Sequence, residues 1–189
     1  MPVAGREIEE PGLGRLEVWD LEPAEELLCR LLGDLFQHHW RELTFGPLIQ
    51  GSAWEMTAPG PPTRVGYLDG YLTVAFDHFH FHLCIGEQRG SPGAPVSPEL
   101  ARHRRTSQAY FYRRLNADGT PDSWGLRLLN GRGEEPVTVI FPNPFLTDEQ
   151  NLAPAPRWDR LALWDDVRQR YLGLEPDARD RSGRRLLHG

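Results

Sequence analysis

The chain has 189 residues, a formal net charge of −6, a sequence pI of about 5.6 and 39% hydrophobic residues, which is enough apolar material for the core of one domain. All 21 basic residues are arginine, which excludes Schiff-base, pyridoxal-phosphate and phosphate-loop chemistry built on lysine. The acidic balance gives no overall drive toward a nucleic-acid backbone, and no apolar run approaches the ~20 residues of a membrane span, so neither nucleic acid nor membrane is expected as a partner.

Met1 to Glu10 carry three glutamates where a secretory signal needs a basic and then an apolar stretch, so a cytoplasmic protein is the expectation. Residues 1–20 are rich in Gly, Glu and Pro without a sustained period, and they read as a lead-in segment. From Pro23 to Leu43 the apolar positions Ala24, Leu27, Leu28, Leu31, Leu32, Leu35, His39 and Leu43 recur at three- and four-residue steps, which predicts a helix weakened in the middle by Gly33. Thr44 to Ala58 reads as one irregular strand. Arg64 to Leu68 and Tyr71 to Ile85 flank Asp69-Gly70, a strong short hairpin signal.

Ser97-Pro98 opens a short helix to about Arg105, whose Arg102, His103, Arg104 and Arg105 meet the helix C-terminus. Strands at 109–115, 123–129 and 136–141, joined by turns at Asp118-Gly119 and Asn130-Gly131, make an antiparallel meander that Pro142, Asn143 and Pro144 stop. A last helix is expected from Trp158 to Tyr171, with Gly173 as its cap. Residues 175–189 turn to Arg, Asp and Gly and read as a tail that is loose or wraps the surface. The expected architecture is a single α+β domain over 21–174: an antiparallel sheet, from a hairpin at 63–85 and a meander at 109–141, packed against N- and C-terminal helices.

One feature stands out chemically: Phe76-Asp77-His78-Phe79-His80-Phe81-His82-Leu83-Cys84, which holds three of the seven histidines. On one continuous strand His78, His80, His82 and Cys84 share a face, with Phe79, Phe81 and Leu83 behind them. Continuing the hairpin register places that face beside Val65, Tyr67, Leu72 and Val74, so the strand is expected to be covered on both sides. Buried imidazoles need a hydrogen-bond network or a metal.

At about 3.3 Å per residue His78 and His82 lie about 13 Å apart, so one ion takes an adjacent pair, His80 and His82 first, and needs a remote ligand. His39 on the first helix is the candidate, with Glu42 and Glu55 as candidate proton acceptors should a metal-activated water react. Cys84 either ligates beside His82 or packs as a small apolar group. Only Cys29 accompanies it, too few for a disulfide framework, and both are expected reduced.

Imidazole ligands suit zinc first, with iron, nickel or copper as alternatives. A non-catalytic accessory or interaction module with a structural histidine network is a second reading. A third is heme ligation by one of these histidines with the aromatic residues packing the macrocycle, although no heme-attachment motif is present. The expected partner is a small molecule or another protein.

The segment His80 to Gly86, together with Phe141-Pro142-Asn143-Pro144-Phe145 and Leu161-Ala162-Leu163-Trp164 running to Tyr171-Leu172-Gly173-Leu174, resembles an uncharacterised family of bacterial proteins of unknown function. The resemblance covers about residues 30 to 183 and implies no catalytic residue. Phe79-His80-Phe81-His82 also resembles, locally, the His-x-His zinc strand of α-type carbonic anhydrases, an analogy in metal geometry alone.

Overall fold

A computed structural model describes residues 5–49, 51–184 and 186. Its strands are β1 (Arg6–Glu10), β2 (Gly14–Leu21), β3 (Thr44–Ile49), β4 (Ser52–Ala53), β5 (Met56–Thr57), β6 (Arg64–Leu68), β7 (Tyr71–Ala75), β8 (His80–Cys84), β9 (Gly90–Ser91), β10 (Ala94–Pro95), β11 (Thr106–Leu115), β12 (Pro121–Asn130) and β13 (Glu135–Ile140). The helices are α1 (Glu25–His38), α2 (Pro98–Arg104) and α3 (Ala162–Leu172), with short 3-10 turns at Trp40–Glu42, Trp158–Leu161 and Ala178–Arg181. An eight-stranded sheet runs β1-β2-β11-β12-β13-β3-β4 with β5 on β3, beside a three-stranded sheet β6-β7-β8 and a two-stranded sheet β10-β9. This is the expected α+β class with antiparallel sheets and a C-terminal helix. Among the described residues no helix is long and apolar enough to cross a membrane.

The chain divides into two compact units, each assembled from separate stretches. The first comprises Met1–Leu21, Tyr110–Leu126 and Ile140–Gly189, and the second comprises Glu22–Ala109 and Arg127–Val139.

In the second unit, Leu28, Leu31, Leu32, Leu35 and Phe36 form the buried stripe of α1. Phe36 meets the rings of Phe45 and Phe81 at 5.0 and 5.1 Å, and Phe76 and Phe79 complete the cluster. The Asp69-Gly70 hairpin has the expected register, with Leu68 opposite Tyr71, Tyr67 opposite Leu72 and Val65 opposite Val74. Positive φ at both turn residues, 47° and 81°, explains the Asp-Gly pair.

The long strand expected from Tyr71 to Ile85 is instead two strands. The Phe76 N–H donates to the Phe79 carbonyl at 2.8 Å, so Asp77 and His78 form a turn, and β8 folds back on β7 with Thr73 opposite His82 and Ala75 opposite His80. Because the turn has two residues, even positions of β8 lie opposite odd positions of β7 and share their face. The inner face therefore holds Leu72, Val74, Phe81 and Leu83, and the histidines lie on the outer one. The helix expected to reach Leu43 stops at His38, and His39 becomes its C-cap.

In the first unit, Trp19, Phe111, Trp124, Phe141, Phe145 and Trp164 are all buried. The lead-in is not structureless but is a hairpin in which Arg6 faces Val18 and Glu10 faces Gly14. Its charged residues alternate with buried Leu16 and Val18 on β2, a pattern that its glycines and prolines obscured. The expected tail carries Asp180, which is fully buried. That carboxylate accepts from Trp124 Nε1 at 2.7 Å, Trp164 Nε1 at 2.9 Å, Arg113 Nη1 at 2.8 Å and Arg168 Nη1 at 3.1 Å. Gly173 caps α3 with φ 67°, as expected.

Candidate functional site

The outer face of β6-β7-β8 follows from its register. Directly opposed residues share a face, which gives the rows Arg64–Ala75–His80, Gly66–Thr73–His82 and Leu68–Tyr71–Cys84. His80 and His82 are exposed rather than covered, because the 77–78 turn sends them away from the phenylalanine cluster. Their ring centroids are 5.1 Å apart and the rings are inclined at 73°. Thr73 Oγ1 lies 2.8 Å from His82 Nδ1.

The other expected ligands lie elsewhere. His78 is exposed in the turn. His39, expected on the buried stripe, is half-buried at the helix end with Nδ1 3.2 Å from Glu42 Oε1. Glu42 and Glu55 are both exposed. Cys84 is buried and its thiol donates to the Gly86 carbonyl at 3.6 Å. Burial pushes that thiol up. Among the described residues no group of three or more His, Cys, Asp or Glu side chains gathers as a metal site.

Two other sequence features are structural. His103 bonds Glu134 at 2.9 Å. Asn143 donates to the Asp122 carbonyl at 2.7 Å and accepts from the Phe145 N–H at 2.9 Å, which fixes the stop after the meander.

Sequence reasoning missed a groove of about 420 Å³. One wall is the α1 face next to the buried stripe, with Cys29, Arg30, Gly33, Asp34, Gln37 and His38; the other is Val65, Gly66 and Tyr67 of β6 with Leu72 of β7. These α1 positions recur in pairs four residues apart, so they form one face of the helix. A Cβ added at Gly33 would meet nothing within 4 Å. The available signal was this glycine inside a helix, with Cys29 and His38 at the same helical spacing.

The end of the groove is braced by Glu25. Its carboxylate holds the Tyr67 hydroxyl, and burial together with that acceptor pushes the phenol well above its ordinary range. A Cβ at Gly86 would lie 2.0 Å from Glu25 Oε2 and 2.4 Å from the Tyr67 hydroxyl, so any larger residue there must displace this pair. Burial and the charge of Glu25 also push the Cys29 thiol up.

No curated protein matches the sequence. Among solved structures, the crystal structure of ChuX is similar, with a TM-score of 0.51 and 11% identity over 84% of this chain and 78% of that one. At that identity the likeness is one of fold. Residues 6–173 match the model of a family of unknown function. That match spans most of the sequence, and the chain belongs to this family, DUF7676.

Proposed function

We propose that the second unit binds a planar tetrapyrrole of the heme class in the groove between α1 and β6. The observation that carries the reading is the slot itself, whose helix wall is left free of a side chain at Gly33. Its volume falls within the roughly 300–1,000 Å³ of small-molecule sites. From Cys29 to His38 the helix rises about 14 Å, a length suited to a macrocycle.

His38 would supply the imidazole ligand to iron. Cys29, with its thiol held protonated, is the weaker donor. Arg30 would face the ligand's carboxylates, and Val65 and Leu72 its apolar ring. The bound group would supply iron chemistry, while the protein binds and orients it. Phe76, Phe79 and Phe81, the aromatic residues next to the strand histidines, are committed to the inner cluster, which is why the groove, and not the histidine face, is the better seat. Glu42 and Glu55 do not line it, so the reading is one of binding without an assigned reaction.

Heme titration of protein carrying no histidine tag tests this. One equivalent is expected to give a shifted, saturable Soret band, weakened about tenfold or more in His38→Ala and abolished when Gly33→Phe fills the slot, with Cys29→Ala unchanged. Equal uptake by wild type, His38→Ala and Gly33→Phe would overturn the proposal.

A further inference from the structure

We infer that His80 and His82 form a two-nitrogen site for a divalent transition metal ion, zinc or copper, on the outer face of β6-β7-β8, with Thr73 as a positioning residue. The inference is independent of the groove and shares no residue with it. With a metal–nitrogen bond of about 2.1 Å, an imidazole centroid lies about 3.2 Å from its ion, and two imidazoles at a tetrahedral angle have centroids about 5 Å apart. The observed separation is 5.1 Å. The two rings are therefore as far apart as a shared ion requires, and rotation about their side-chain bonds turns one nitrogen of each toward it.

Thr73 adds what ordinary surface histidines lack. Metal-ligating imidazoles characteristically engage their second nitrogen with a fixed acceptor, which sets the tautomer and the ring plane. Thr73 Oγ1, 2.8 Å from His82 Nδ1, is placed to act as that acceptor in the Nδ1–H tautomer. With Nδ1–H donating to it, the lone pair falls on Nε2, which has no hydrogen-bond partner among the described residues. The third and fourth positions belong to water or an incoming donor, so the site is open, unlike a closed structural zinc site. Arg64, on this face, has its backbone two strands from His80, about 10 Å, and its guanidinium lies over Gly66 in an exposed position where solvent screens it.

Isothermal titration of Zn(II) and Cu(II) into tag-free protein tests the site. One ion per chain is expected, bound more tightly by copper than by zinc. His80→Ala and His82→Ala should each weaken binding about tenfold or more, and Thr73→Val by about tenfold, with Thr73→Ser restoring it. Bound Cu(II) should show electron paramagnetic coupling to two nitrogens that falls to one in either single variant. Absence of saturable binding, or binding unchanged in the double variant His80→Ala plus His82→Ala, would overturn the site. Thr73→Val equal to wild type would overturn the positioning role. Heme uptake is expected to be unchanged in the double variant, and metal binding unchanged in His38→Ala, so failure of one proposal is distinguishable from failure of the other.

Discussion

Gly33 sits where a helix gains nothing from glycine. A glycine in a helix interior costs about 0.5–1 kcal/mol relative to alanine, and no neighbour within 4 Å would obstruct a Cβ. The loss falls on the wall of the groove, where a side chain would occupy the slot. Gly33→Ala is therefore expected to raise stability by about 0.5–1 kcal/mol, read as a higher urea midpoint at unchanged m-value, while lowering heme affinity. A destabilised Gly33→Ala would mean that packing, and not the slot, holds the glycine. Residues of this kind were partly legible: Gly33 weakens the middle of the helical pattern without erasing it, and Cys84 reads either as a ligand beside His82 or as a buried small apolar group. Asp180 was not legible, because the four donors that make its burial tolerable come from residues far away in sequence and its own neighbourhood is Arg- and Asp-rich.

Two turns show what an element reveals of itself. At Asp69-Gly70 both residues need positive φ, so the chemistry of the turn is written in its residue types. The Asp69 carboxylate also accepts from the Arg89 and Gly90 N–H groups at 2.8 and 3.0 Å, and a Cβ at Gly70 would stand 2.8 Å from the Glu87 carbonyl carbon. Gly70→Ala is expected to cost about 1–3 kcal/mol from left-handed strain plus overpacking, measured as a lower thermal or urea midpoint; a neutral result would contradict the close approach. The second turn, Asp77-His78, has no glycine and no positive φ, so nothing local distinguishes it from strand. Reading through it puts the histidines on the other face, since a two-residue turn pairs the even positions of β8 with the odd positions of β7. The histidine pair was thus legible as a unit, and its exposure was not.

At the scale of the whole molecule, the segment read as a lead-in and the tail read as loose or surface-wrapping both contribute to the first unit, where they meet on Arg113. Glu17 of the N-terminal hairpin accepts from its Nε at 2.9 Å, and Asp177 and Asp180 of the C-terminal segment accept from its Nη1 at 2.8 Å. Composition hid this because charged, glycine-rich segments resemble solvated tails unless their partners are known. The arrangement ties stability to acid. Burial works against the Asp177 carboxylate, but the Arg179 N–H and the Arg113 guanidinium outweigh it and hold its pKa below the ordinary value. A hydrogen-bonded pair with Arg6 lowers Asp20 likewise. A depressed carboxylate stabilises the fold above its unfolded pKa of about 3.9 and loses that contribution as pH falls through the folded value. Urea midpoints followed by tryptophan fluorescence should accordingly fall as pH drops below about 4, and the fall should be shallower in Asp177→Asn and Asp20→Asn, which have no proton to take up at those positions. A midpoint that holds or rises on acidification, or variants as acid-sensitive as wild type, would show that these carboxylates do not carry the linkage.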